Sequence, residues 1–131
     1  MLNKKFIIDI TREVLNHMDG EYLRSDFTNW CEGATSIMHY ILSNYTEETD
    51  FHIMSGKFKE YGHKWIVVNG EIFDATVDQF GDDYSIYSSF LYKELYHEES
   101  ESFIHFVFDN WIEYMDNLFD DKERMNLYIE E

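Results

Sequence analysis

Asn69-Gly70, set between His63-Lys64-Trp65-Ile66-Val67-Val68 and Glu71-Ile72-Phe73-Asp74, constrains the fold more than any other stretch of this chain. The dipeptide readily supplies the two positive φ angles of a type I′ turn, and a two-residue loop fixes the register of the strands it joins. Val68 then pairs with Glu71, Val67 with Ile72, Ile66 with Phe73 and Trp65 with Asp74. Directly paired residues share a face of the sheet, so His63, Trp65, Val67, Ile72 and Asp74 lie together. His63 and Asp74 become diagonal neighbours, roughly 7–8 Å apart at the backbone, which leaves an imidazole and a carboxylate within hydrogen-bonding reach. A one-residue slip separates them.

The single cysteine gives this pair a chemical context. Cys31 stands where the polar stretch Asn29-Trp30-Cys31-Glu32-Gly33-Ala34-Thr35-Ser36 passes into Ile37-Met38-His39-Tyr40-Ile41-Leu42, whose apolar residues line a helix. The sulfur is therefore expected at a helix N-terminus, where aligned peptide dipoles and unpaired N–H groups favour negative charge and lower a thiol pKa. Cys31, His63 and Asp74 have the settings that a nucleophile, its base and the base's orienter require. Asp74 holds one imidazole nitrogen protonated and aims the other at the sulfur.

The order Cys31, then Gly-His63-Lys-Trp65 on a strand, then Gly-Glu-Ile-Phe-Asp74-Ala-Thr76 followed by Gln79-Phe80, resembles the papain-like and transglutaminase-like cysteine enzymes, most of all their small bacterial and phage branch. The resemblance spans about residues 28 to 81. It implies a helix opened by the cysteine, neighbouring antiparallel strands carrying His and Asp, and the roles of nucleophile, base and orienter for Cys31, His63 and Asp74. Trp65 matches the aromatic often found two residues after the histidine, and Gln79-Phe80 matches a short motif after the aspartate. No upstream residue matches the glutamine of the papain oxyanion hole. The candidate oxyanion donors are the Cys31 backbone N–H, the Trp30 indole and the amides of Asn29 and Gln79, and a working site needs at least two.

The expected chemistry is attack of the Cys31 thiolate on an amide or ester carbonyl, protonation of the leaving group by His63, and acyl transfer to water or to an amine. Water makes the chain a peptidase, amidase or deamidase, and an amine makes it a transamidase. Substrates are amide-bearing proteins, peptides or small molecules. The remaining histidines, His17, His39, His52, His97 and His105, form no His-Glu-x-x-His pattern, and one cysteine cannot build a thiolate zinc site, so neither a metal nor another cofactor is expected.

A net charge of −17, from 10 basic and 27 acidic residues, opposes binding to nucleic-acid phosphates. It suits a basic partner, and the alternative reading is a catalytically silent, acidic, phage-type inhibitor or binding module acting on a basic protein or on a small ligand in the cleft. No apolar run reaches about 18 residues and no signal-peptide pattern is visible, so a cytoplasmic protein away from membranes is expected. One cysteine fits a reducing compartment.

At 131 residues and 44% hydrophobic content, residues 1–131 are expected to make one domain with one core. The predicted class is α+β, helices packed on a small antiparallel sheet in a papain-like or transglutaminase-like core, with the site between the Cys31 helix and the His63 strand. Helical spacing predicts helices over about 4–18 (Phe6, Ile7, Ile10, Val14, Leu15, Met18, stopped at Asp19-Gly20), 31–44, and 103–119 with Val107, Trp111, Tyr114, Met115 and Leu118 on one stripe. A last short helix holds Met125, Leu127 and Tyr128. Phe51-His52-Ile53-Met54 and Lys57-Phe58-Lys59 read as a strand interrupted at Ser55-Gly56. For 84–97 aromatic content and period disagree, and strand and helix are both open. The acidic stretches Glu94 to Glu101 and Asp116 to Glu131 read as solvated helix faces. The Trp65, Val67 and Ile72 face is expected to pack on the Cys31 helix, and aromatics at 18% offer material for a homodimer interface beyond the core.

Overall fold

A computed structural model describes residues 3–19, 31–102 and 109–129. Among them, three layers are built around a four-stranded antiparallel sheet, and the α+β class follows directly. Helix α1 (Lys4–Asp19) starts where the Asn3 side-chain oxygen accepts a hydrogen bond from the Phe6 N–H at 2.8 Å, the usual way a helix satisfies an orphan donor. Helix α2 (Cys31–Tyr45) begins at the cysteine itself. The strands are β1 (Phe51–Phe58), β2 (Tyr61–Val68), β3 (Glu71–Phe73) and β4 (Tyr96–Ser102), in spatial order β3-β2-β1-β4. Helices α3 (Asp109–Asp120) and α4 (Lys122–Ile129) follow.

The hairpin adopts the register derived above. Ile66 pairs with Phe73, Val67 with Ile72 and Val68 with Glu71. Asn69 at φ 51° and Gly70 at φ 82° supply the two positive angles of the turn. β3 stops at Phe73, so Asp74 leaves the ladder opposite Trp65 and bends into a 3-10 turn over Val77–Phe80.

Both faces of this sheet are buried, by different partners. On one, Ile53, Ile66, Val68 and Phe73 join Phe6, Ile10, Val14, Ile37, Met38 and Ile41 of α1 and α2, together with Trp111, Met115 and Leu118 of α3. On the other, Phe58, Trp65, Val77 and Tyr96 form a second cluster, flanked by Met54, Val67, Ile72, Phe80, Tyr84 and Tyr92. The expectation that the Trp65, Val67 and Ile72 face packs on the Cys31 helix is thereby corrected. That helix covers the alternate residues of β2, and the Trp65 face is closed by chain from residues 77–96. A single core was expected because period alone cannot reveal that the later segment folds back as a second cover.

Three further expectations change. Ser55-Gly56 does not interrupt β1, which runs unbroken to Phe58; the register shifts there instead, as a bulge against β4. A Cβ on Gly56 would stand 2.1 Å from the His97 carbonyl oxygen, so glycine permits close backbone approach rather than ending the strand. The open stretch 84–97 resolves into a 3-10 segment, Ser89–Leu95, kinked at Tyr92, followed by the start of β4. The acidic run ending at Glu101 is thus mostly an edge strand, not a helix face. Its residues His97 to Glu101 are all exposed, and its order comes from backbone pairing with β1.

The amphipathic stripe on α3 is seen in buried Trp111, Met115 and Leu118, and Met125 is buried on α4. Gly20, the segment 103–108 with Val107, and the side chains of Met18, Leu127 and Tyr128 lie outside the described residues. No helix among the described residues is long and apolar enough to cross a membrane.

Candidate active site

The diagonal placement of His63 and Asp74 becomes a direct contact, with His63 Nε2 2.7 Å from Asp74 Oδ2. Both side chains are almost fully buried, at 1% and 2% exposure. A buried carboxylate is stable only when its lone pairs are occupied by donors. Here Oδ2 also accepts the Tyr96 hydroxyl at 2.8 Å, and Oδ1 accepts the Thr76 backbone N–H at 3.1 Å, with the Thr76 hydroxyl at 3.5 Å.

The turn carrying Asp74 is tied down from outside. Arg12 of α1 donates to the Ala75 carbonyl at 3.0 Å and to Asp78 at 2.9 Å. Ser89 donates to the Ile72 carbonyl at 2.6 Å and receives Lys4 Nζ at 3.0 Å, and the same ammonium meets Glu71 at 3.0 Å. The carboxylate thus sits on a short loop held by side chains from two other segments.

Cys31 opens α2, whose first turn is tied to β2. Because β3 pairs only with Ile66–Val68, the outer edge of β2 from residue 61 to 65 has no strand partner among the described residues. Lys64 Nζ lies 3.0 Å from Glu32 Oε1, which pins the first turn of α2 beside this stretch. The half-buried Cys31 is, with Asp74, one of the two groups that act on the imidazole.

The electrostatics of the ring follow. Burial, the largest single influence, pushes the His63 pKa down, but the hydrogen bond to Asp74 and its charge, with a further contribution from Cys31, outweigh it and carry the pKa up to about 9. His63 is therefore held more basic than an ordinary imidazole. Nδ1 makes no hydrogen bond of ordinary geometry, although Cys31 still influences the ring. Burial and the neighbouring Asp74 charge push the Tyr96 phenol far above its ordinary range, so it stays a neutral donor.

Aromatic rings enclose the pair. Phe80 stands edge-on to the His63 ring at 4.9 Å and 86°, Phe58 lies 6.4 Å away, and Trp65 is stacked beside it at 6.1 Å. Trp65 is fully buried, which makes it a wall of the imidazole pocket rather than a contact for substrate. Gln79 donates its side-chain amide to Thr76 Oγ1 at 3.4 Å, so it extends the Asp74 hydrogen-bond chain. Trp30 and Asn29 lie outside the described residues.

The residues that sequence reasoning missed are Tyr96 and Thr76. Thr76 belonged to the motif that carried the resemblance, and its turn geometry two residues after an aspartate was a usable signal. Tyr96 had none, because its strand carries no apolar alternation.

His39 lies farther along α2, where it hydrogen-bonds Ser43 at 3.3 Å and meets the Phe51 ring, and burial lowers its pKa. Among the described residues no group of three or more His, Cys, Asp or Glu side chains is arranged to hold a metal ion. Comparison with protein-family models, with curated proteins and with solved structures finds no match for this chain.

Proposed function

We propose that the chain is a cysteine-dependent acyl-transfer enzyme on a papain-like or transglutaminase-like core, with Cys31 as nucleophile, His63 as base and acid, and Asp74 as orienter. The observation that carries this reading is the buried His63–Asp74 pair, whose second imidazole nitrogen is left without a hydrogen-bond partner while Cys31 is among the groups that act on the ring. A structural histidine in a core generally has both nitrogens satisfied. A catalytic one keeps a nitrogen for the reaction.

The ground state is an imidazolium whose Nδ1–H faces the sulfur, an arrangement that stabilises negative charge there. The thiolate attacks the carbonyl carbon, and the carbonyl π electrons move to oxygen. Collapse breaks the bond to the amine or alkoxide as His63 delivers its proton to that leaving group, and a thioester to Cys31 remains. Water or an amine, deprotonated by the now neutral His63, attacks the thioester. The second collapse releases the acyl product and restores thiolate and imidazolium. The α2 N-terminus offers the Cys31 backbone N–H to the oxyanion.

The test is the rate of iodoacetamide alkylation of Cys31 at pH 6 in wild type and in His63→Ala. At least a tenfold slower reaction in the variant is expected, since the imidazolium no longer stabilises the thiolate. Equal rates would show that the two residues do not act as a pair.

A second reading, an acidic binding module for a basic protein, is favoured by one observation: Glu98, Glu99 and Glu101 stand exposed on the edge strand β4 of a chain with net charge −17. Capture of a basic partner by Cys31→Ala that equals wild type and weakens steeply with salt would support it.

A further inference from the structure

We propose that Tyr96 is a positioning residue of the site, its phenol sharing Asp74 Oδ2 with His63 so that the carboxylate is held in one orientation and its pull on the imidazole is moderated. The proposal rests on the acyl-transfer reading above and adds a fourth side chain to it.

The geometry is specific. Asp74 Oδ2 takes His63 Nε2 at 2.7 Å and the Tyr96 hydroxyl at 2.8 Å, while Oδ1 is occupied by the Thr76 N–H at 3.1 Å. With Oδ1 engaged on its own loop, the phenol is the donor that fixes the rotation of the carboxylate, reaching it from β4 on the Trp65 face of the sheet. Tyr96 has little freedom to do otherwise. Its backbone is the first residue of β4, paired with Phe58, and the preceding Leu95 carbonyl accepts the Lys59 N–H at 2.8 Å. Its ring packs edge-on against Phe58 and against Trp65, each at 4.9 Å.

Two donors on one oxygen divide its negative charge. Hydrogen bonds to charged groups are the strong ones, and each draws density from the acceptor. The titratable groups acting on His63 are Asp74 from the turn after β3 and Cys31 from α2; Tyr96 acts on it through Asp74, whose charge also reaches Tyr92. Removing the phenol concentrates the carboxylate charge on the imidazole and raises its proton affinity. Strengthening the phenol as a donor does the opposite. A tyrosine that merely satisfies its own buried hydroxyl would move neither.

The experiment is an NMR titration of the His63 ring in wild type, in Tyr96→Phe, and in protein carrying 3-fluorotyrosine at position 96, a more acidic phenol of nearly the same size. Tyr96→Phe should shift the His63 midpoint upward by about half a unit to one unit, a three- to tenfold gain in proton affinity. The fluorinated phenol should shift it downward. No shift in either protein, or shifts of the same sign, overturns the proposal. The fluorinated protein keeps the hydroxyl and the packing, so the sign test stands even where Tyr96→Phe loosens the fold. Because this titration needs no turnover, its failure is distinguishable from failure of the acyl-transfer reading, which is decided by the His63→Ala alkylation rate.

Discussion

Raising the pH from 6 to 10 should destabilise this protein through a single buried side chain. The His63 pKa is carried from an ordinary 6.5 to about 9 in the folded state. A folded pKa above the unfolded one means that the native state binds the proton more tightly, so stability is fully present below about pH 6.5 and is lost as pH rises through about 9. The shift of about 2.5 units corresponds to roughly 3 kcal/mol, and solvent screening does not diminish it because the imidazole and its carboxylate are almost fully buried. Against a total stability of about 5–15 kcal/mol, this is a large fraction. The assay is urea unfolding at half-unit pH steps, in wild type and in His63→Gln, whose amide can still donate to Asp74. Other groups titrate in both proteins, so the difference between the two curves isolates His63. Wild type should lose about 3 kcal/mol more than the variant between pH 6 and 10, most of it above pH 7. Parallel curves would refute the reasoning and mean that the buried imidazole holds no excess proton affinity.

Asp74→Asn should drop the His63 titration midpoint below its ordinary value, because the hydrogen bond to a carboxylate and its charge are lost while burial remains; NMR of the ring protons checks this, with His63→Gln supplying the assignment. The same variant should lower any acyl-transfer turnover by on the order of 100-fold or more, through loss of the preferred imidazole tautomer. Gly56→Ala places a Cβ against the His97 carbonyl oxygen, where only backbone can yield, and should cost about 2 kcal/mol, seen as a fall of about 7 °C in Tm. Cys31→Ala should abolish acyl transfer while leaving the circular dichroism spectrum unchanged, since the half-buried sulfur contributes little to the core.

The parts of the molecule legible in the sequence are those whose causes are local. Asn69-Gly70 specifies its turn through backbone sterics, and strand alternation then brings His63 and Asp74 together without reference to anything distant. The start of α2 at Cys31 is likewise a change in local pattern. Non-local causes left little trace. β4 is a strand because β1 offers it an unpaired edge, and Tyr-His-Glu-Glu-Ser-Glu-Ser has neither the apolar alternation nor the β-branched residues that announce one. With β4 goes Tyr96, and with Tyr96 the far side of the Asp74 carboxylate. Gly56 shows the same limit: the residue type signals something special, but only the approach of the His97 carbonyl distinguishes a bulge from a break. The side of β2 that α2 covers is decided by which later segment closes the opposite face, a choice that His63, Trp65 and Val67 cannot encode by themselves.

The two-sided sheet has a mechanical consequence. The thiol rides on a helix seated in one apolar cluster, while the imidazole is walled by aromatic rings of the other; among the described residues the two clusters meet across the strands between them and at Ile86, which packs against both. The placement of Cys31 relative to the imidazole therefore depends on the packing of both faces of the sheet. A methylene removed at Ile37, or a ring trimmed at Phe58, should move one seat relative to the other without touching Cys31, His63 or Asp74.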